Sequence, residues 1–109
     1  LFNFKVGEEN MKEKIILRNM DIKRVLIGVP ENHKHLRIIV ESKDKIFIFH
    51  EATIANIVRG FISIKTHPKI EAIEMKIKEI KGKEGFAKFQ LIETDKNKEN
   101  IIKEINALI

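Results

Sequence analysis

The sequence has no cysteine, tryptophan or tyrosine, one glutamine (Gln90), two prolines and five glycines in 109 residues. Without cysteine there can be no disulfide, no thiol nucleophile and no cysteine-ligated zinc or iron–sulfur centre. Hydroxyl side chains are almost as scarce. Ser42, Ser63, Thr53, Thr66 and Thr94 are the whole set, and none stands in a G-x-S-x-G elbow. Neither of the glycine-rich phosphate-loop patterns occurs. Gly82-Lys83-Glu84-Gly85 has the outline of a G-x-x-G clamp, but that clamp joins helices and this segment reads as joining strands. Long apolar runs are missing too. Val25–Val29 and Ile46–Phe49 are strand-sized, far below the roughly 18 residues of a bilayer span, so no membrane association is expected. The opening Leu1-Phe2-Asn3-Phe4 has no basic n-region, and no signal or transit pattern is read there.

What is present is isoleucine, lysine and glutamate: 21, 17 and 13 residues. With 43% hydrophobic and 34% charged residues the chain can bury a core and is not of disordered composition. Its length fits a single domain over 1–109, with residues 1–10 as a peripheral N-terminal strand or arm joined by Gly7-Glu8-Glu9-Asn10. Met11 would serve as an alternative start. Abundant Lys and Glu with few thermolabile side chains is the bias of proteins from hot environments; the Ile, Lys, Asn and Phe excess also suits an AT-rich genome. In composition and size the whole chain resembles small proteins of unknown function from thermophilic methanogenic archaea. No motif carries that resemblance and it implies no activity. A cytoplasmic location follows from the lack of cysteine and of targeting signals.

Periodicity divides the chain into strands and two helices. Ile101, Ile102, Ile105, Leu108 and Ile109 form one stripe of a C-terminal amphipathic helix, with Thr94 or Asp95 as N-cap. Ile54, Ile57, Val58 and Phe61 predict a short helix over 52–59, stopped by Gly60. Residues 71–79 and 86–93 alternate as a hairpin; setting Ile80 against Phe86 places Ile77 opposite Phe89, Met75 opposite Leu91 and Lys78 opposite Lys88. Phe61–Lys65 reads as a strand ended by Pro68, and Lys14–Arg18 as another. Asp21–Val29 fits either period, its β-branched content favouring a strand. His35–Glu41 and Lys45–His50 form a second hairpin about Ser42-Lys43-Asp44, apolar on both faces and therefore expected centrally, buried on both sides. The predicted fold is α+β: a mostly antiparallel sheet of about seven strands, curled or barrel-like, with a short middle helix and a C-terminal helix.

Three kinds of site suggest themselves. His33 and His35 form an H-x-H pair whose imidazoles share a face of an extended segment, and His50, followed by Glu51, joins them if residue 37 pairs with 50. That is a candidate metal site, set against the plainer reading of solvated loop histidines. His67 before Pro68 reads as a loop residue. The second site is basic. Net charge is +5, and residues 61–92 hold seven Lys against four Glu. Lys76, Lys78 and Lys88, with Lys81 and Lys83 at the turn, could lie along a phosphate backbone. Against it, Phe47, Phe49, Phe61 and Phe89 are assigned to the core, leaving Phe2, Phe4 and Phe86 for stacking, and alternating Lys and Glu also describes any solvated surface. The third is an interaction surface, since so much isoleucine exceeds what one thin sheet hides. The sequence thus favours a small binding or interaction domain over an enzyme, with a homo-oligomer or protein partner and no cofactor.

Overall fold

The computed structural model describes residues 12–109; the N-terminal arm, Met11, Phe2 and Phe4 lie outside them. The chain divides into two compact units, one up to Ile48 and one from Phe49 onward.

In the first unit, Asn19–Asp21 makes one 3₁₀ turn, fastened by the Asp21 carboxylate, which accepts from the Arg18 backbone N–H and from Arg18 Nε, both at 2.9 Å. Strands β1 (Ile22–Gly28), β2 (Arg37–Ser42) and β3 (Ile46–His50) follow, in the spatial order β1-β2-β3. The β1–β2 ladder is antiparallel and pairs Leu26 with Ile39 and Val25 with Val40; it is broken by a register shift between Ile22 and Arg24. The β-branched reading of 21–29 therefore holds. Lys14–Arg18 has no regular structure, so the strand predicted there is absent. The β2–β3 turn is built by Ser42. Its backbone N–H donates to the Lys45 carbonyl at 2.9 Å and its hydroxyl accepts the Lys45 N–H at 3.2 Å, which explains why a serine is buried here.

The expectation that this hairpin lies centrally, buried on both sides, is corrected. Among the described strands only β2 is central and β3 lies at an edge, with Ile46 and Ile48 64% and 62% exposed.

The second unit opens with α1 (Glu51–Thr66), which runs straight through the predicted stop at Gly60 and absorbs the expected strand 61–65. The reason is packing. Gly60 is buried, and a Cβ there would stand 2.8 Å from Ile73 Cδ1 and 3.1 Å from Met75 Cε, so the missing side chain lets the helix approach the next segment. The helix half-buries Thr53, Ile54, Asn56, Ser63 and Ile64 around the buried Gly60 and leaves Ile57, Val58 and Phe61 exposed, so of the docked apolar face predicted only Ile54 turns inward. It ends where Thr66 Oγ1 donates to the Ile62 carbonyl at 2.8 Å and His67 Nδ1 lies 3.0 Å from the Ser63 carbonyl. His67 is thus a helix-terminating residue rather than a free loop imidazole.

Strands β4 (Met75–Glu79) and β5 (Phe89–Glu93) form a separate antiparallel pair. Ile77 faces Leu91 and Lys78 faces Gln90, two residues away from the predicted register. Residues Gly85–Lys88 coil into a 3₁₀ turn and are withdrawn from the ladder. A shift of two preserves which face each side chain takes, and it spares Lys78 a like-charged neighbour. Helix α2 (Lys98–Leu108) closes the unit, its N-cap being Asn97, whose side chain accepts from the Asn100 N–H at 2.9 Å, not Thr94 or Asp95. Ala72 and Ile101 are the buried hydrophobic side chains among the described residues. The α+β class stands. The described residues hold five strands in two sheets, not seven, and no closed barrel.

Candidate functional site

The β4–β5 turn collects most of the basic residues singled out by the sequence. Gly82 and Gly85 take φ of +82° and +61°, the left-handed region that favours glycine, so the chain reverses tightly after Lys81. The Ile80 N–H donates to the Lys88 carbonyl at 2.6 Å and fastens the base of the turn. Around it Lys81, Lys83 and Lys88, with Glu79 and Ile80, line one open cavity of about 440 Å³. Lys76 and Lys78 lie below on the ladder, opposite Ile92 and Gln90.

Charge is distributed unevenly within this unit. At the end of the hairpin away from the turn, Lys96 Nζ donates to Glu74 at 2.8 Å and to Glu104 at 2.7 Å, Thr94 Oγ1 donates to Glu74 at 2.9 Å, and Lys98 stands 3.6 Å from Glu71. The hydrogen bond from Lys96, then that from Thr94, holds the Glu74 carboxyl below the usual range; Glu104, then Glu74, pushes the Lys96 ammonium up. Glu71, Glu74 and Glu104 are thus answered by cations. At the turn, Lys88 approaches Glu79 at 3.8 Å, while Lys78, Lys81 and Lys83 make no ion pair among the described residues.

Aromatic rings accompany these cations. Phe86 is 85% exposed on the 3₁₀ turn, and the His50 ring meets it edge-on at 6.0 Å between centroids. Lys88 Nζ sits 5.1 Å over the Phe89 ring and Lys65 Nζ 5.9 Å over that of Phe61. Phe89 and Phe61 are exposed, so their assignment to the core is corrected: α1 turns Gly60, Ile54 and Ile64 inward and Phe61 outward, and β5 presents Phe89 beside the turn.

No family model, curated protein or solved structure matches the chain.

His33 and His35 belong to the first unit, where His33 Nδ1 lies 2.7 Å from the Glu31 carbonyl, and His50 belongs to the second, beside Phe86. Among the described residues no group of three or more His, Asp or Glu side chains could hold a metal ion. Nor is any described helix long and apolar enough to cross a membrane.

The first unit offers a different surface. Leu26, Ile39 and Ile48 line an open groove of about 420 Å³ along one face of the sheet, with Val29 at one end and Arg37 beside it. Arg24 Nε donates to Glu41 Oε1 at 2.8 Å further along, and this bond, with burial opposing it, draws the Glu41 carboxyl below its usual range. The edge strand β1 pairs with no strand but β2 among the described residues. Sequence reasoning located the surplus of isoleucine but not the sheet face that shows it.

Proposed function

We propose that the protein is a small assembly module that pairs with a second copy of itself through β1. The observation that supports this reading is an apolar sheet face, with Leu26, Ile46 and Ile48 exposed and Ile39 half-buried, beside β1, which among the described residues has one edge unpaired. An open edge presents unpaired backbone N–H and C=O groups, and natural proteins cover such edges or guard them with charge. Here Val25-Leu26-Ile27-Gly28-Val29 carries no charge, and its only cations, Lys23 and Arg24, sit at its start.

That placement suits a two-fold pair. In an antiparallel arrangement centred on Leu26, Arg24 falls opposite Gly28 and Lys23 opposite Val29 of the other copy. The two Arg24 side chains are then about 13 Å apart at 3.3 Å per residue, beyond the screening length of about 8 Å at physiological salt. Pro30, unable to donate, ends the shared ladder. The two apolar rows become one continuous stripe. Binding is preferred to catalysis because hydroxyl side chains are few and cysteine is absent, and the same reading has the protein in the cytoplasm of a thermophilic archaeon, in keeping with its Lys and Glu content.

Sedimentation equilibrium decides the matter. The expected mass is twice the 12.7 kDa of one chain, returning to one chain in Leu26→Lys, where two lysines would meet on the axis. Ile77→Lys, at a comparably exposed isoleucine of the other unit, should leave the mass doubled. A single-chain mass at every concentration, or a dimer indifferent to Leu26→Lys, would refute the reading.

A further inference from the structure

We propose that the β4–β5 turn is a binding site for single-stranded nucleic acid, with Phe86 as the base-stacking platform and Lys81, Lys83 and Lys88 as phosphate contacts. The proposal draws on residues that play no part in the β1 edge, so it stands or falls independently of self-association.

The cations come first. Residues 78–88 hold four Lys against Glu79 and Glu84, and three of those lysines surround one cavity. Towards the other end of the hairpin, Glu71, Glu74 and Glu104 are engaged by Lys96 and Lys98 rather than by the lysines of the turn. Lys76 and Lys78 extend the row of positive charge along the ladder for about 17 Å, at 3.3 Å per residue over five residues. Such a track engages several successive phosphates, whereas a free phosphate ion would use only its tip.

The rings select the class of polyanion. An acidic peptide or a sulfated sugar gains nothing from a flat apolar surface, but an unpaired base does, because every base has a π-face. Phe86 offers nearly its whole ring to solvent, with His50 against it, and Phe89 lies beside Lys88. Paired bases in a duplex are already stacked and cannot use such a ring without being splayed out. A large aromatic left 85% exposed on a basic turn, met edge-on by the His50 ring, is the feature that separates this surface from an ordinary solvated Lys/Glu face.

The test is fluorescence anisotropy with labelled 12-nucleotide oligo-dT and oligo-U and a 12-base-pair duplex, at rising salt. The expected result is single-strand binding at about 50 mM salt that weakens steeply as salt rises. Phe86→Ala should weaken it about five- to a hundredfold and leave the salt slope unchanged. The double variant Lys81→Gln/Lys83→Gln should lower that slope by about 1.4, at roughly 0.7 per single-strand phosphate. All the substituted side chains are exposed, and circular dichroism confirms folding. No binding at about 50 mM salt, equal or tighter binding of the duplex, or full affinity in Phe86→Ala would each overturn the proposal.

Discussion

One missing methyl group decides the course of the second unit. Glycine weakens a helix interior by about 1 kcal/mol relative to alanine, and from sequence Gly60 reads as a stop. Its neighbours explain its tolerance: Ile73 Cδ1 and Met75 Cε occupy the space a side chain would need. Both are the far ends of flexible chains, so a single methyl displaces them at a cost comparable with the propensity it returns. Gly60→Ala should therefore lie within about 1 kcal/mol of the parent, and Gly60→Leu should lose about 1–3 kcal/mol by overpacking. Urea unfolding of the three proteins measures both. A Leu variant as stable as the parent would mean that α1 does not rest on 73–75.

At the scale of elements, alternation was legible and register was not. Met75, Ile77 and Leu91 share one face as expected, because a slip of two residues changes no face, but that face is not the core expected for it, since Ile77 and Phe89 are exposed. The slip itself came from Gly85–Lys88, whose 3₁₀ coil no period-2 pattern announces. In the same way Phe61–Lys65 alternates well enough to pass for a strand, and is helical because Gly60 permits the helix to continue. The turn also makes a clean test of backbone strain. Gly82 has φ of +82° with nothing within 4 Å of its would-be Cβ, and Gly28 has equal room without a positive φ. Gly82→Ala should cost about 1–2 kcal/mol, the left-handed penalty of an L-residue, with Gly28→Ala close to neutral. Thermal unfolding distinguishes them. Equal effects would show that space, not backbone conformation, matters at the turn.

The candidate sites divide along similar lines. Lys81, Lys83 and Lys88 are close in sequence, so a local turn brings them to one cavity and the sequence alone could name them. The meeting of His50 with Phe86 spans 36 positions and depends on tertiary packing, which no local pattern encodes. The exposure of Phe89 and Phe61 was hidden for the same reason. Composition says that a phenylalanine prefers the interior, but only the packing of α1 says whether an interior is available at that point.

For the molecule as a whole, acid is the condition to which stability should respond most. Three carboxylates, distributed over both units, lie below their ordinary range because a cation donates to them: Asp21 through Arg18, Glu41 through Arg24, and Glu74 through Lys96 and then Thr94. At neutral pH all three are ionised folded and unfolded, and their contribution is fully present. As pH falls through about 4, the ordinary carboxylate range, the unfolded chain takes up protons before the folded one does, so stability declines. It is lost once pH has passed below the folded values. Lys96 has the opposite sign. Its raised value makes its contribution complete below about pH 10.4, the ordinary lysine value, and lost as pH rises further. Because these groups are at least partly exposed, each effect is modest and screened by salt. The melting temperature should therefore hold from pH 6 to 8, fall between pH 5 and 3, and fall less steeply in 1 M salt. Glu74→Gln removes one titrating partner and keeps the Thr94 bond, so its acid slope should be shallower than the parent's while its neutral stability is slightly lower. An unchanged slope in Glu74→Gln would show that the Lys96 network contributes nothing to acid sensitivity, leaving it to the Arg24–Glu41 and Arg18–Asp21 pairs of the first unit.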